Sequence, residues 1–205
     1  MEQTVRFYFS FRSPYAWFAA ERWRAELGDV PHVVERVPFY PTPETFPNDP
    51  TVLPAKYRYT VQDVLRCARE YQLAVQAPCS LDTDWARAHA AYLGVERERP
   101  EHAEAFMLEM FRARFSRSED VALDDVIAAA AERASTDARL AVQAAASPAL
   151  QDEVSENFTR GQAEHGIFGA PSFVFGKHLF WGHDRMRQLR SALVACTRTP
   201  LAVSG

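Results

Sequence analysis

Lysine is nearly missing. Of 23 basic residues only Lys56 and Lys177 are lysine, so almost all positive charge sits on arginine. Nor is positive charge in excess. Acidic residues number 27 and the formal charge is -4, which argues against a nucleic-acid groove, since that needs clustered basic charge. Cysteine is scarce too. Cys67, Cys79 and Cys196 stand 12 and 117 positions apart, a spacing that fits neither a C-x-x-C redox pair nor a zinc cluster. The odd count argues against a disulfide framework and points to a reducing compartment. Long apolar runs are also lacking. The longest uncharged one is Val126 to Ala131, far below the roughly 20 residues of a spanning helix. The chain opens on Val5-Arg6-Phe7-Tyr8-Phe9, which reads as a strand and not as a signal peptide. The expectation is a soluble, cytoplasmic protein whose 205 residues, 47% of them hydrophobic, can bury a sizeable core.

What is present falls into three blocks. Residues 4–11 alternate and are rich in aromatics, as a strand would be. Ser13 and Pro14 then give a helix start, with serine at the cap and proline at the first helical position. The amphipathic run Tyr15 to Leu27 ends at Gly28, and Val30 to Val37 reads as a second strand. A β-α-β opening implies a parallel pair with a right-handed crossover. Residues 40–54 hold Pro41, Pro43, Pro47, Pro50 and Pro54 and read as an ordered loop. From Ala55 to Gly166 the pattern is helical, with expected helices at 60–72, 83–94, 99–116, 123–134, 136–146 and 148–165. Strand character then returns. Ser172 to Phe175 and His178 to Trp181 flank Gly176-Lys177, a tight hairpin turn, and 184–196 reads as a closing helix before a frayed tail.

This order predicts an α/β, thioredoxin-like fold, β-α-β … α-β-β-α, interrupted by an all-helical insertion subdomain. The thioredoxin-like domain takes residues 1–40 and 148–205, and the insertion takes 41–147. No glycine-rich fingerprint follows the first strand, so a Rossmann reading is disfavoured.

Three segments could carry chemistry. Phe11-Arg12-Ser13-Pro14-Tyr15-Ala16 lies at the carboxyl end of the first strand, where open α/β sheets bind ligands. Ser13 read alone is a plain N-cap. The same helix N-terminus offers free N–H groups and a positive dipole end to an anion, and a serine hydroxyl there can donate to a bound thiolate. No histidine or aspartate neighbours Ser13 in sequence, which weakens a serine-hydrolase reading. In Gly166-Ile167-Phe168-Gly169-Ala170-Pro171-Ser172, a proline just before a short strand suggests an edge-strand start or a cis peptide. The topology sets this loop beside Ser13. In Phe180-Trp181-Gly182-His183-Asp184-Arg185, Asp184 reads as a cap of the last helix, or, with His183, as a grip on a ligand bearing an ammonium and a carboxylate. His32, His89, His102, His165 and His178 lack metal-ligand spacing, so no metal is expected. Cys67 and Cys196 fall in helical patterns and read as buried hydrophobes, leaving Cys79 as the candidate exposed thiol.

Taken together, the motifs F-x-F-R-S-P-Y-A, G-I-F-G-A-P-S-F-V-F-G and F-W-G-H-D-R-M resemble one family. It is the group of 2-hydroxychromene-2-carboxylate isomerases and kappa-class glutathione transferases, within the DsbA-like thioredoxin superfamily. Arg36-Val37-Pro38-Phe39, and Lys56-Tyr57 followed by Asp63, Arg66 and Ala68, also match. Redox members carry C-x-x-C where this chain has Ser13-Pro14-Tyr15-Ala16, so a dithiol mechanism is unavailable there. The resemblance implies glutathione as cofactor and Ser13 as the catalytic residue facing its sulfur. It implies that Pro171 is a cis-proline and that the Ala170 backbone pairs with the cysteinyl unit. Asp184 would hold the γ-glutamyl ammonium, with His183 near its carboxylate, and Asn48 and Lys56 would make further glutathione contacts. The implied reaction is cis–trans isomerisation of an aromatic carboxylate in aromatic catabolism, by a homodimer without membrane or nucleic-acid partners. Arg12 and Tyr15 are candidates for substrate binding, Arg12 through the substrate carboxylate. Trp17, Tyr40, Tyr57 and Trp181 are further candidates for lining an aromatic pocket. Two other functions stay open: a kappa-like transferase or peroxidase, and a non-catalytic thioredoxin-fold binding protein.

Overall fold

Phe7 and Tyr8 are neighbours in sequence, yet they enter different hydrophobic clusters. That is the mark of a strand buried on both faces. The strand is β1 (Thr4–Phe9), and it lies inside a four-stranded mixed sheet. A computed structural model gives this arrangement and describes residues 3–40, 53–80 and 83–198. After β1 come α1 (Pro14–Leu27), β2 (Val33–Pro38), α2 (Pro54–Glu70), α3 (Trp85–Glu98), α4 (Pro100–Ser116), α5 (Asp124–Arg133), α6 (Ala138–Ala145) and α7 (Pro148–His165). The chain closes with β3 (Ser172–Phe175), β4 (His178–Trp181), a 3-10 turn at His183–Arg185 and α8 (Met186–Arg198).

The sheet order is β2-β1-β3-β4. β1 and β2 run parallel, with Thr4 opposite Val33 and Phe9 opposite Pro38. β1 and β3 run antiparallel, with Phe7 opposite Phe173. β3 and β4 form the expected hairpin, with Gly176 at φ 59 in its turn. Among the described residues the fold is four strands and eight α-helices, and the β-α-β … α-β-β-α order with its helical interruption stands. On one face, Phe7 stacks on Phe173 and Trp23. On the other, Tyr8 packs with Phe39, Phe158, Ile167 and Val174. The larger core runs without a break from α1 into α3, α4 and α5, so the helical stretch and the sheet share it.

Several boundaries differ from the sequence expectation, each for a local reason. β1 ends at Phe9 and not at residue 11, because Ser10 turns the chain: its carbonyl accepts from Ser13 N–H at 3.0 Å. β2 starts at Val33, since Val30 N–H still bonds back to Leu27 and Pro31 has no N–H to give a ladder. α2 starts at Pro54 instead of residue 60. The proline that ends the loop also opens the helix at its first position, where its missing N–H costs nothing. Cys196 is exposed, and not the buried hydrophobe expected. α8 turns Met186, Leu189 and Leu193 inward, and Cys196 follows on the same face but in the exposed last stretch, 195–197, of the helix. Cys67 is half-buried and Cys79 exposed. Trp17 is fully buried and stacks on Phe115, so it belongs to the core and not to a pocket.

Candidate functional site

The sharp turn at Ser10 aims the N-terminus of α1 out of the carboxyl edge of the sheet. Ser13 is its N-cap, with extended backbone (φ -91, ψ 114). Its Oγ accepts from Ala16 N–H at 3.2 Å. The hydroxyl has one proton, and it donates this to the Ala170 carbonyl at 3.0 Å, across 157 positions of sequence. Ala170 precedes Pro171 through a cis peptide bond. Pro171 opens β3, an interior strand and not an edge strand. The Pro171 carbonyl accepts from Gly182 N–H at 3.0 Å. Ser172 Oγ donates to the Gly169 carbonyl at 2.7 Å, pinning the same loop from within.

Gly182 sits at φ 107, a conformation that glycine alone adopts without strain, and a Cβ there would strike Asp184 Oδ1. The turn therefore directs His183–Asp184 back toward Pro171. Asp184 is exposed and pairs with Arg185 at 2.8 Å. Ser13, Ala170, Pro171, His183 and Asp184, read from three separate motifs, thus lie along one connected edge. Lys56 is exposed on the first turn of α2. Asn48 lies outside the described residues.

Tyr15 and His183 meet in a way the sequence did not announce. Their rings stack, 5.3 Å between centroids and 10° from parallel. Phe18 and Tyr71 close around the same imidazole. Its Nε2 lies 3.8 Å from the Cys67 sulfur. The His183 ring is therefore packed between α1 and α2. Burial pushes its pKa down, which keeps it neutral near pH 7, and burial pushes the Cys67 thiol up. Tyr15 donates its hydroxyl proton to Asp63 Oδ2 at 2.9 Å. Burial, then this bond, raise the phenol, so it stays a donor. Tyr15 and Asp63 tie α1 to α2.

Two buried residues of the helical block were passed over by sequence reasoning, and the first of them supports the loop. His89 on α3 is fully buried, and its Nε2 accepts from Phe11 N–H at 2.9 Å. Arg114 on α4 is buried beside Trp85. Neither spacing nor periodicity marks them, because both partners are distant in sequence. Arg12 is half-buried, with its backbone N–H on Ser10 Oγ at 3.3 Å. Trp181 is exposed and stands against Phe168, 4.9 Å between ring centroids. Among the described residues no group of three or more His, Cys, Asp or Glu is arranged to hold a metal ion. No helix among them is long and apolar enough to cross a membrane.

A cis-proline opening a sheet strand, a cap residue pointing at it and a helical block between the second and third strands define a class. The chain belongs to the DSBA-like thioredoxin domain family, whose model matches residues 4–194. Within that class it is similar to the 2-hydroxychromene-2-carboxylate isomerase of Sphingobium xenophagum, 28% identical over 95% of this chain and all of the relative. It is similar to human glutathione S-transferase kappa 1, 26% identical over 94% of this chain and 92% of the relative. A solved 2-hydroxychromene-2-carboxylate isomerase shares its fold, with a TM-score of 0.76 at 22% identity, over 95% of this chain and 96% of that one. So does the cytosolic disulfide reductase DsbM of Pseudomonas aeruginosa, solved with GSH. Its TM-score is 0.68 at 16% identity, over 96% of this chain and all of that one.

Proposed function

We propose that this protein is a glutathione-dependent cis–trans isomerase of 2-hydroxychromene-2-carboxylate or a similar aromatic carboxylate. The observation that carries the reading is the Ser13 hydroxyl, held at a helix N-terminus with its one proton on the Ala170 carbonyl at 3.0 Å. Bound glutathione would supply a thiolate that adds to the conjugated double bond, makes it single for rotation, and leaves by elimination.

The residues present fit that ligand. A free thiol has a pKa near 8.5, so the site must stabilise its anion. The positive end of α1 does this, and Ser13 does it if its proton turns to the sulfur. The proton is now committed to Ala170 O. A ligand N–H on Ala170 O would share that acceptor with Ser13 and weaken its hold on the proton, which favours turning the proton to the sulfur. Pro171 holds that carbonyl in place. Asp184 has an exposed carboxylate for an ammonium group, and the 182–184 turn offers backbone beside it. With its ring packed, His183 contributes through its main chain. Lys56, exposed on α2, and Asn48 complete the assignment of glutathione contacts. Arg12 faces the substrate carboxylate. Tyr15 fixes the floor through Asp63 and His183. Cytoplasmic location and a homodimer belong to the same reading.

Calorimetry with glutathione and an absorbance assay on the chromene carboxylate test it. Ser13→Ala should cut turnover about 100-fold, as loss of one anion-stabilising donor does, while glutathione affinity changes little. Full activity in that variant refutes the role of Ser13. Absence of glutathione binding by the unaltered protein refutes the enzyme reading in favour of a binding protein. Turnover of halogenated aromatics or peroxides in place of the chromene carboxylate makes it a transferase or peroxidase, the activity class suggested by the likeness to the kappa enzyme.

A further inference from the structure

α2 reaches past the helix it packs on. Just beyond its C-terminal end, Tyr71 meets Phe18, 5.5 Å between ring centroids, and the Arg22 guanidinium, 4.1 Å from the ring centre. Further back along α2, Asp63 accepts from the Tyr15 hydroxyl at 2.9 Å. Falling numbers on α2 thus go with falling numbers on α1, so the two helices run side by side in the same direction. α1 begins at Pro14, level with this last contact, whereas α2 continues back to Pro54 without a break. At 1.5 Å per residue this leaves roughly 13 Å of helix beyond the start of α1. What lies past the start of α1 is Ser13 and the carboxyl edge of the sheet.

The overhang is apolar on the side that it turns to this edge. Positions 57, 60, 64, 67 and 71 follow one another at helical spacing and share one face. At the anchored end, Val64, Cys67 and Tyr71 of that face pack against the core. Tyr57 continues the face into the overhang and is exposed, as is Leu53 at the cap one turn before. The Tyr57 side chain makes no hydrogen bond, ion pair or ring contact. An exposed aromatic and an exposed leucine add nothing to the fold here, yet they continue the core-facing stripe of the helix and not its outer side. The contacts that anchor α2 are one layer of side chains deep, so the space beneath its free end is narrow. A flat ring enters a gap of that depth, whereas a second helix needs about 8–10 Å between axes.

We propose that Tyr57 and Leu53 form an apolar roof over the Ser13 edge and hold the aromatic ring of the substrate. This deepens the functional reading above and rests on it for the reaction at Ser13. Tyr57 offers a ring to stack on or meet edge to face, and Leu53 an apolar flank. The pair selects a planar aromatic electrophile over an aliphatic one of equal charge. In that division of labour Ser13 serves the thiolate, and Tyr57 sets which electrophile is offered to it.

The test titrates the unaltered full chain with cinnamate and separately with hexanoate, each with and without glutathione. Leucine methyl signals are followed by NMR, and Leu53→Val assigns those of Leu53. The ring current of cinnamate should shift the Leu53 methyls to saturation. Hexanoate has the same charge but no ring and should leave them in place. No shift with cinnamate in either condition, or equal shifts with both acids, overturns the proposal. A shift with protein concentration alone also overturns it, since a second copy would then cover this face. Calorimetry gives the second measurement. Tyr57→Ala should weaken cinnamate binding about three- to tenfold, the worth of one aromatic contact, and leave glutathione affinity unchanged. Unchanged cinnamate affinity in that variant overturns the role of the roof. Glutathione binding is measured apart from both. Its absence would defeat the reading of Ser13 while leaving the cinnamate result to decide Tyr57 and Leu53.

Discussion

His89 should make this protein acid-sensitive in a defined window. The imidazole is fully buried; Nε2 accepts from Phe11 N–H at 2.9 Å, and Nδ1 is 2.6 Å from the Trp85 carbonyl. One tautomer serves both bonds, with the proton on Nδ1. A second proton would put an N–H against the Phe11 N–H. Burial accordingly lowers the pKa from 6.5 to about 4, with the Trp85 carbonyl working in the opposite sense. The folded value is depressed, so the neutral ring stabilises the fold fully above pH 6.5. The benefit drains away as pH falls from 6.5 toward 4, because only the unfolded chain takes up the proton. By pH 4.5 the loss is on the order of 2–3 kcal/mol, a large share of a typical stability of 5–15 kcal/mol. His89→Gln keeps an acceptor for Phe11 N–H but has no proton to bind. Urea unfolding at pH 7.5 and 4.5, followed by circular dichroism, reads the difference. Carboxylates titrate equally in both proteins and cancel. The unaltered protein should lose on the order of 2–3 kcal/mol more than the variant across the interval. Parallel losses in the two would refute the burial argument.

Gly94 on α3 faces Ala144 on α6 so closely that a Cβ at 94 would run into the Ala144 Cβ, an atom fixed to the backbone. Gly94→Ala should lower the melting temperature, because overpacking of about 1–3 kcal/mol exceeds the gain in helix propensity of about 1 kcal/mol; a higher melting temperature would refute close helix contact there. Tyr15→Phe keeps the stack on His183 but removes the proton donated to Asp63. It should cost about 1 kcal/mol and speed amide hydrogen exchange in α2, and unchanged α2 protection would show that the bond does not hold that helix.

Features set by a few adjacent residues were legible in the sequence. Ser13-Pro14 starts α1, and Ser147-Pro148 starts α7. Gly166 ends α7 at φ 70. Gly176-Lys177 turns the hairpin, and the β-α-β … α-β-β-α order follows from such marks. The exit of β1 was not legible. Phe11 continues the aromatic alternation, yet its N–H takes an imidazole 78 positions away instead of a strand. The start of α2 was hidden because Pro54 serves both as the end of a proline run and as a first helical residue. Half of the site could be read. Its segments carry motifs, and the topology predicted that the Ala170 loop would sit beside Ser13. Tyr15–Asp63, Phe11–His89 and Arg114–Ser80 could not be read, since pairs of side chains far apart in sequence leave no periodic trace.

These unread pairs have a common direction. Two of them tie the β1–α1 turn and the start of α1 to helices inserted between β2 and β3, Phe11 to His89 on α3 and Tyr15 to Asp63 on α2, while Arg114–Ser80 lies within the helical block. Phe11 lies against Phe111 of α4 at 4.9 Å and His89 of α3 at 5.0 Å, ring centroid to ring centroid. Phe9 lies against Tyr92 at 5.0 Å. The residues that bracket Ser13 therefore sit in a core built partly by the helical block. A thioredoxin-like sheet alone would fix the cap of α1 and the Pro171 strand. It would leave Phe11 N–H without the acceptor that His89 provides. The helical block supplies that acceptor, from α3. In this chain the sheet edge accordingly fixes the Ser13 cap against the Ala170 carbonyl. The inserted helices hold the residues on either side of Ser13, Phe11 through His89 and Tyr15 through Asp63.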